Sequence, residues 1–140
     1  MGSVKTIKPY SSDGNPGCFT GDLSAITGTT ATIVVVHGAG QCRDSDHDDL
    51  GVVFNGSEPV MWTCLSAAEI AKFHAWGRSS FPGARTLDVT TALADVNCPP
   101  PSSSAQVQRD AAAQMRALLT SLAAIWLAAT TAPAVPKPAA

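Results

Sequence analysis

Residues 29–36 read TTATIVVV, and residues 50–64 read LGVVFNGSEPVMWTC. The first stretch is almost entirely β-branched, which suits a pleated surface. Its unbroken apolar run predicts a strand buried on both faces. Gly38 and Gly40 end it. The second stretch predicts a hairpin, with strands at 50–54 and 60–64. Asn55-Gly56 is the turn signal, because both residues tolerate positive φ. Pro59 has no N–H to give to a ladder, so the second strand is expected to begin at an edge.

Outward from this core the composition changes. Residues 1–60 hold nine of the eleven glycines, whereas residues 61–140 hold twenty alanines. Glycine punctuates turns and alanine favours helix, so strands are expected first and helices second. Ser66 and Glu69 form a capping box, and Leu65 with Ile70 a hydrophobic staple. These predict a helix from Ser66 that stops at Gly77. Residues 78–96 are ambiguous: 86–90 reads as a strand, or Asp88 caps a short helix.

The Pro99–Ser104 run is a linker stiffened by its prolines. A long helix is expected over 105–129. Ala111, Met115, Leu118, Leu122, Ile125 and Ala129 recur at spacings of four and three, a heptad-like seam. The fold class is therefore α+β: a small, mostly antiparallel sheet in the N-terminal half, a short capped helix and a long C-terminal helix. The expected organisation is a β-rich domain over 1–98, the linker over 99–104, the helix over 105–129 and an extended Pro/Ala tail over 130–140.

Charge narrows the function classes. Charged residues make up 14% of the 140-residue chain, and the net charge is −2. Lys and Arg form no cluster, so a nucleic-acid footprint is absent. Between Arg116 and Lys137 there is no charge. Thr120, Ser121 and Pro133 interrupt that apolar stretch, so packing against the domain or a sister chain is expected there and a membrane span is not. No apolar leader segment is visible near Met1, so synthesis in the cytoplasm is expected.

The densest polar run is 44–49, DSDHDD. Asp44, Asp46 and Asp48 alternate as the first ligands of a calcium loop do. Position six of such a loop is glycine and here is Asp49. Position twelve is glutamate and here is Asn55. Solvated Asx-turns are the plainer reading, so no cofactor is expected; calcium or magnesium are the ions this run would take.

The same stretch resembles the nucleotidyltransferase superfamily of the polymerase β type. Gly38-Ala39-Gly40 precedes Ser45-Asp46-His47-Asp48, followed by Asp49-Leu50 and Val52-Val53-Phe54. The resemblance implies that Asp46 and Asp48 bind two magnesium ions for nucleotidyl transfer. Ala39 stands where the family has serine, and no third carboxylate strand follows.

The four cysteines, Cys18, Cys42, Cys64 and Cys98, form no C-x-x-C pair. Reduced, they pack as small hydrophobes. In oxidising surroundings they form one or two disulfides, and spacing does not choose the pairing.

No triad, nucleophile elbow or phosphate loop is present. The expected function is that of a non-enzymatic structural or assembly protein, with a phage-type virion component as its most concrete form. It self-associates or docks on protein partners through Met115, Leu118, Leu122, Ile125 and Trp126. The alternatives are the magnesium-dependent enzyme and a calcium-stabilised binding module.

Overall fold

The computed structural model describes residues 7, 10, 18–26, 30–40, 46–94, 96–100 and 102–131. Cys42, Asp44 and the tail over 132–140 lie outside the described residues. The chain is an α+β protein. Its strands are β1 (Phe19–Thr20), β2 (Ala31–His37), β3 (Asp49–Asn55), β4 (Glu58–Leu65) and β5 (Arg85–Thr90). Its helices are α1 (Ile70–Ser80) and α2 (Ala105–Thr131). The five strands form one mixed sheet in the order β1-β4-β3-β2-β5.

The local signals place the middle of the sheet. β2, β3 and β4 follow one another as an antiparallel meander. Ala31 to Val36 are all fully buried, as an apolar run sandwiched between two layers must be. The hairpin turn falls one residue later than Asn55-Gly56 suggests. Asn55 pairs with Glu58, and Gly56 is the first turn residue, at φ +62°. Asn55 is held in the ladder because its side-chain oxygen accepts from Thr30 Oγ1 at 2.7 Å. Pro59 sits beside a bulge, where the register shifts between Val53 and Phe54. The extra residue turns both Val60 and Met61 toward the same core.

Residues 85–90 are a strand and not a capped helix. β5 lies parallel to β2, with Asp88 opposite Val35. The connection from β4 through α1 to β5 carries the chain across two strands to the far edge of the sheet.

The pleat sorts side chains between two cores. Ile33, Val35, Val53, Met61 and Leu65 pack beneath α1 with its Phe73. Val34, Val36, Leu50, Val52, Phe54 and Trp62 pack beneath α2 with Met115, Leu119 and Trp126. The result is three layers, with the sheet between the two helices.

Two glycines set how closely α1 can lie. A Cβ on Gly51 would stand 2.7 Å from the Phe73 ring, and one on Gly77 would stand 2.8 Å from Ile33. Gly77 is therefore a contact residue and not a stop. The helix runs through it to Ser80 and closes with the Phe81 N–H on the Gly77 carbonyl, at 2.9 Å. The start is as the capping signal indicates: the Ser66 N–H and hydroxyl both donate to Glu69 Oε1, at 2.8 and 2.9 Å.

The buried stripe of α2 is Ala111, Met115, Leu119, Ala123 and Trp126. This stripe is rotated from the heptad-like seam. Leu119 and not Leu118 is fully buried, Leu118 and Leu122 are half-buried, and Ile125 is 66% exposed. Residues 105–128 are long and apolar enough to cross a membrane by length and composition alone. In the fold this segment lies on the sheet along the buried stripe.

Candidate functional site

Three groups of side chains stand out: a polar network at one end of the sheet, a cysteine cluster, and the uncovered side of α2.

The network begins where β2 ends. By strand alternation His37 and Asp88 share the α1 side of the sheet, and α1 brings His74 over them. His37 Nε2 lies 2.9 Å and His74 Nε2 3.1 Å from the same oxygen, Asp88 Oδ1. An ionised carboxylate only accepts, so both rings present Nε2–H to it. Burial pushes the Asp88 carboxyl up, but the hydrogen bonds and positive charge of His74 and His37 outweigh it and hold it below its ordinary value. Chemically the arrangement is a brace, since one carboxylate ties α1 to two parallel strands.

A second imidazole–carboxylate contact lies beyond it. His47 is buried before β3, with Nε2 3.1 Å from Glu69 Oε1 and Nδ1 2.9 Å from Asp46 Oδ1. Glu69 thus serves both the start of α1 and the loop that leads into β3.

The acidic run closes a turn. The Gly38 N–H donates to Asp49 Oδ1 at 2.8 Å, and the Gly40 N–H donates to the Asp48 carbonyl at 3.0 Å. Asp46 and Asp48 are exposed, and Asp46 is engaged by His47. The proposed ligand Asp44 lies outside the described residues. Among those residues, the one set of three metal-ligating side chains with all ligand atoms within 4.8 Å is Cys18, Cys64 and Cys98. The sequence did not single out His37, His74, Asp88 and Glu69 as one group. Only the parallel β2–β5 register, a long-range feature, brings the first three together.

The cysteines sit on the α2 side of the sheet. Cys18, just before β1, is disulfide-bonded to Cys98, which precedes α2. Cys64 of β4 is disulfide-bonded as well. Its Sγ lies 3.8 Å from Cys18 Sγ and 3.9 Å from Cys98 Sγ. Exchange between them needs in-line attack along the S–S axis. Cys64, itself in a disulfide, offers no thiolate to attack with, and it stands nearly equidistant from both sulfurs, broadside to that bond, so the resting state does not favour exchange.

The third feature is one edge of α2. Val107 and Ile125, 50% and 66% exposed, are the large apolar side chains that stay in solvent among the described residues. Next to this edge, an open groove of about 810 Å³ runs between α2 and the segment after β5. Gly40, Leu93, Val96, Asn97, Gln114 and Leu118 line it. Asn97 Nδ2 donates to Gln114 Oε1 at 3.1 Å at its wall. Of the five interface residues expected from the sequence, Met115 and Trp126 lie in the chain's own core, and Leu118, Leu122 and Ile125 border this edge.

No protein-family model matches the chain, and neither curated proteins nor solved structures provide a match.

Proposed function

We propose that this chain is a non-enzymatic structural or assembly module that pairs with a second copy of itself through α2. One observation carries the reading. Val107 and Ile125, the two exposed large apolar side chains among the described residues, are eighteen residues apart on one helix. At 3.6 residues per turn that is about five turns, so both point the same way, about 27 Å apart. Gln114, Leu118 and Ser121 fall between them on that edge, and none is charged.

Such a strip is self-complementary. If two copies of α2 run antiparallel about a two-fold axis, Val107 meets the partner's Ile125, and Leu118 meets the partner's Gln114 over the groove. Arg116, at the level of the axis, stays clear because its guanidinium lies 5.1 Å above the Phe19 ring on another side of the helix. The centre of the strip carries no charge and Asp110 flanks it at the rim, so a like surface is an acceptable partner.

The test is light scattering over a concentration series. Wild type is expected to be a dimer and Ile125→Asp a folded monomer that melts cooperatively, at the temperature of dilute, dissociated wild type. A wild-type monomer at every concentration would overturn the reading. Nucleotidyl transfer rests on the resemblance around Asp46 and Asp48, a calcium-stabilised loop on the alternation of Asp44, Asp46 and Asp48, and the virion form on low charge, the missing catalytic pattern, the long helix and the Pro/Ala tail.

A further inference from the structure

We propose that the reduced protein binds one Zn²⁺ through Cys18, Cys64 and Cys98. The fold gathers these residues from three places far apart in the chain: the segment before β1, the end of β4, and the segment before α2. Cys64 and Cys98 are buried, and Cys18 is half-buried, so the cluster has one side toward solvent.

The spacing is that of a thiolate metal site. Zinc bound at about 2.3 Å to each of its tetrahedral sulfurs holds them about 3.8 Å apart. The Cys64 sulfur already stands 3.8 and 3.9 Å from the other two. Once the Cys18–Cys98 bond is broken, those two sulfurs separate and the third edge of the same face opens. The Cα atoms of that pair are 5.0 Å apart, so side-chain rotation is the main movement required. Reduction also frees the thiol to which Cys64 was bonded, and that thiol or a water takes the fourth tetrahedral position.

The electron balance is simple. A phosphine delivers two electrons to each disulfide and leaves as its oxide, with water supplying the oxygen and the two protons that yield two thiols. Zn²⁺ then displaces one proton from each of Cys18, Cys64 and Cys98, and the three-thiolate complex carries one negative charge. The same three positions thus belong to covalent staples in oxidising surroundings, Cys18 and Cys98 to one and Cys64 to another, and form a soft-cation site in reducing ones. Thiolate rather than carboxylate ligands select zinc over calcium or magnesium.

The experiment uses the full chain, reduced by a phosphine without oxygen and titrated with Co²⁺ as a spectroscopic stand-in. The expected result is one Co²⁺ per chain, with thiolate-to-metal charge-transfer absorption that Zn²⁺ displaces. Cys64→Ser and Cys98→Ser should each weaken binding by more than about 100-fold, beyond the effect of losing an outer-shell partner. If reduction unfolds the chain, Zn²⁺ is expected to restore the native circular dichroism. Three results overturn the proposal: no uptake by a folded reduced chain, no recovery of an unfolded one, or uptake unchanged in both serine variants.

Discussion

Gly77 of α1 lies so close to Ile33 of β2 that a Cβ on the glycine would come within 2.8 Å of the Ile33 side chain. In an exposed helix, Gly→Ala stabilises by up to about 1 kcal/mol. Here the added methyl meets branch carbons of a fully buried side chain that has nowhere to turn. Gly77→Ala is therefore expected to destabilise, by about 1–3 kcal/mol. Chemical denaturation measures it. Ile33→Ala should relieve the clash, making the double variant less unstable than the sum of the two single ones.

The Asp88 brace predicts a pH-dependent contribution. Its carboxyl is held below the ordinary aspartate value of 3.8 in the folded protein. The folded state thus binds the proton more weakly than the unfolded state. The contribution is full above 3.8 and is lost as pH falls through the lower folded value. Asp88 is half-exposed, so the effect is at most about 1 kcal/mol. Asp88→Asn should lower stability slightly at neutral pH, and the gap to wild type should close in acid. A gap that persists at the lowest pH would show that the carboxylate charge does not matter.

Neighbouring positions on α2 should behave oppositely. Trp126 is buried with its ring 6.5 Å from Phe54, edge to face. Trp126→Ala is expected to cost about 3–5 kcal/mol. Ile125→Ala removes an exposed side chain and should leave the melting temperature of the monomer unchanged. Thermal melts of dilute protein distinguish the two. Equal losses would mean that α2 is rotated from the position described.

The Cys18–Cys98 disulfide closes a long loop, with eighty residues separating its ends. Constraining an unfolded chain over such a loop stabilises by about 2–4 kcal/mol. A Cys18→Ala/Cys98→Ala double variant should lose that amount in urea. An undiminished midpoint would show that the unfolded chain is already compact over this loop, so that the bond constrains it little.

The parts legible in the sequence were the local ones. The β2–β3–β4 meander follows from β-branched runs and a Gly turn, and the start of α1 from Ser66 and Glu69. The α2 range follows from an alanine-rich periodic stretch. What was hidden depended on distant partners. Gly77 reads as a helix stop until Ile33 is known to lie beneath it. Leu118 and Leu119 are both apolar, and alanines on either side give the periodicity no means of choosing which one faces the sheet. His37, His74 and Asp88 carry no motif, since their meeting depends on a parallel register set by a crossover. The cysteine pairing was open for the same reason.

The position of the disulfide also has a mechanical meaning. A chain pulled at both ends carries the load through Cys18 and Cys98, and the eighty residues of separation between them are bypassed. Fully extended, that segment would span about 270 Å. As long as the bond is intact, this length cannot be drawn out, and β2 to β5 bear no tension. Only the residues before Cys18 and after Cys98, α2 included, can yield under force. A module built into a larger assembly would stretch at its terminal segments and keep its sheet intact until it met a reductant.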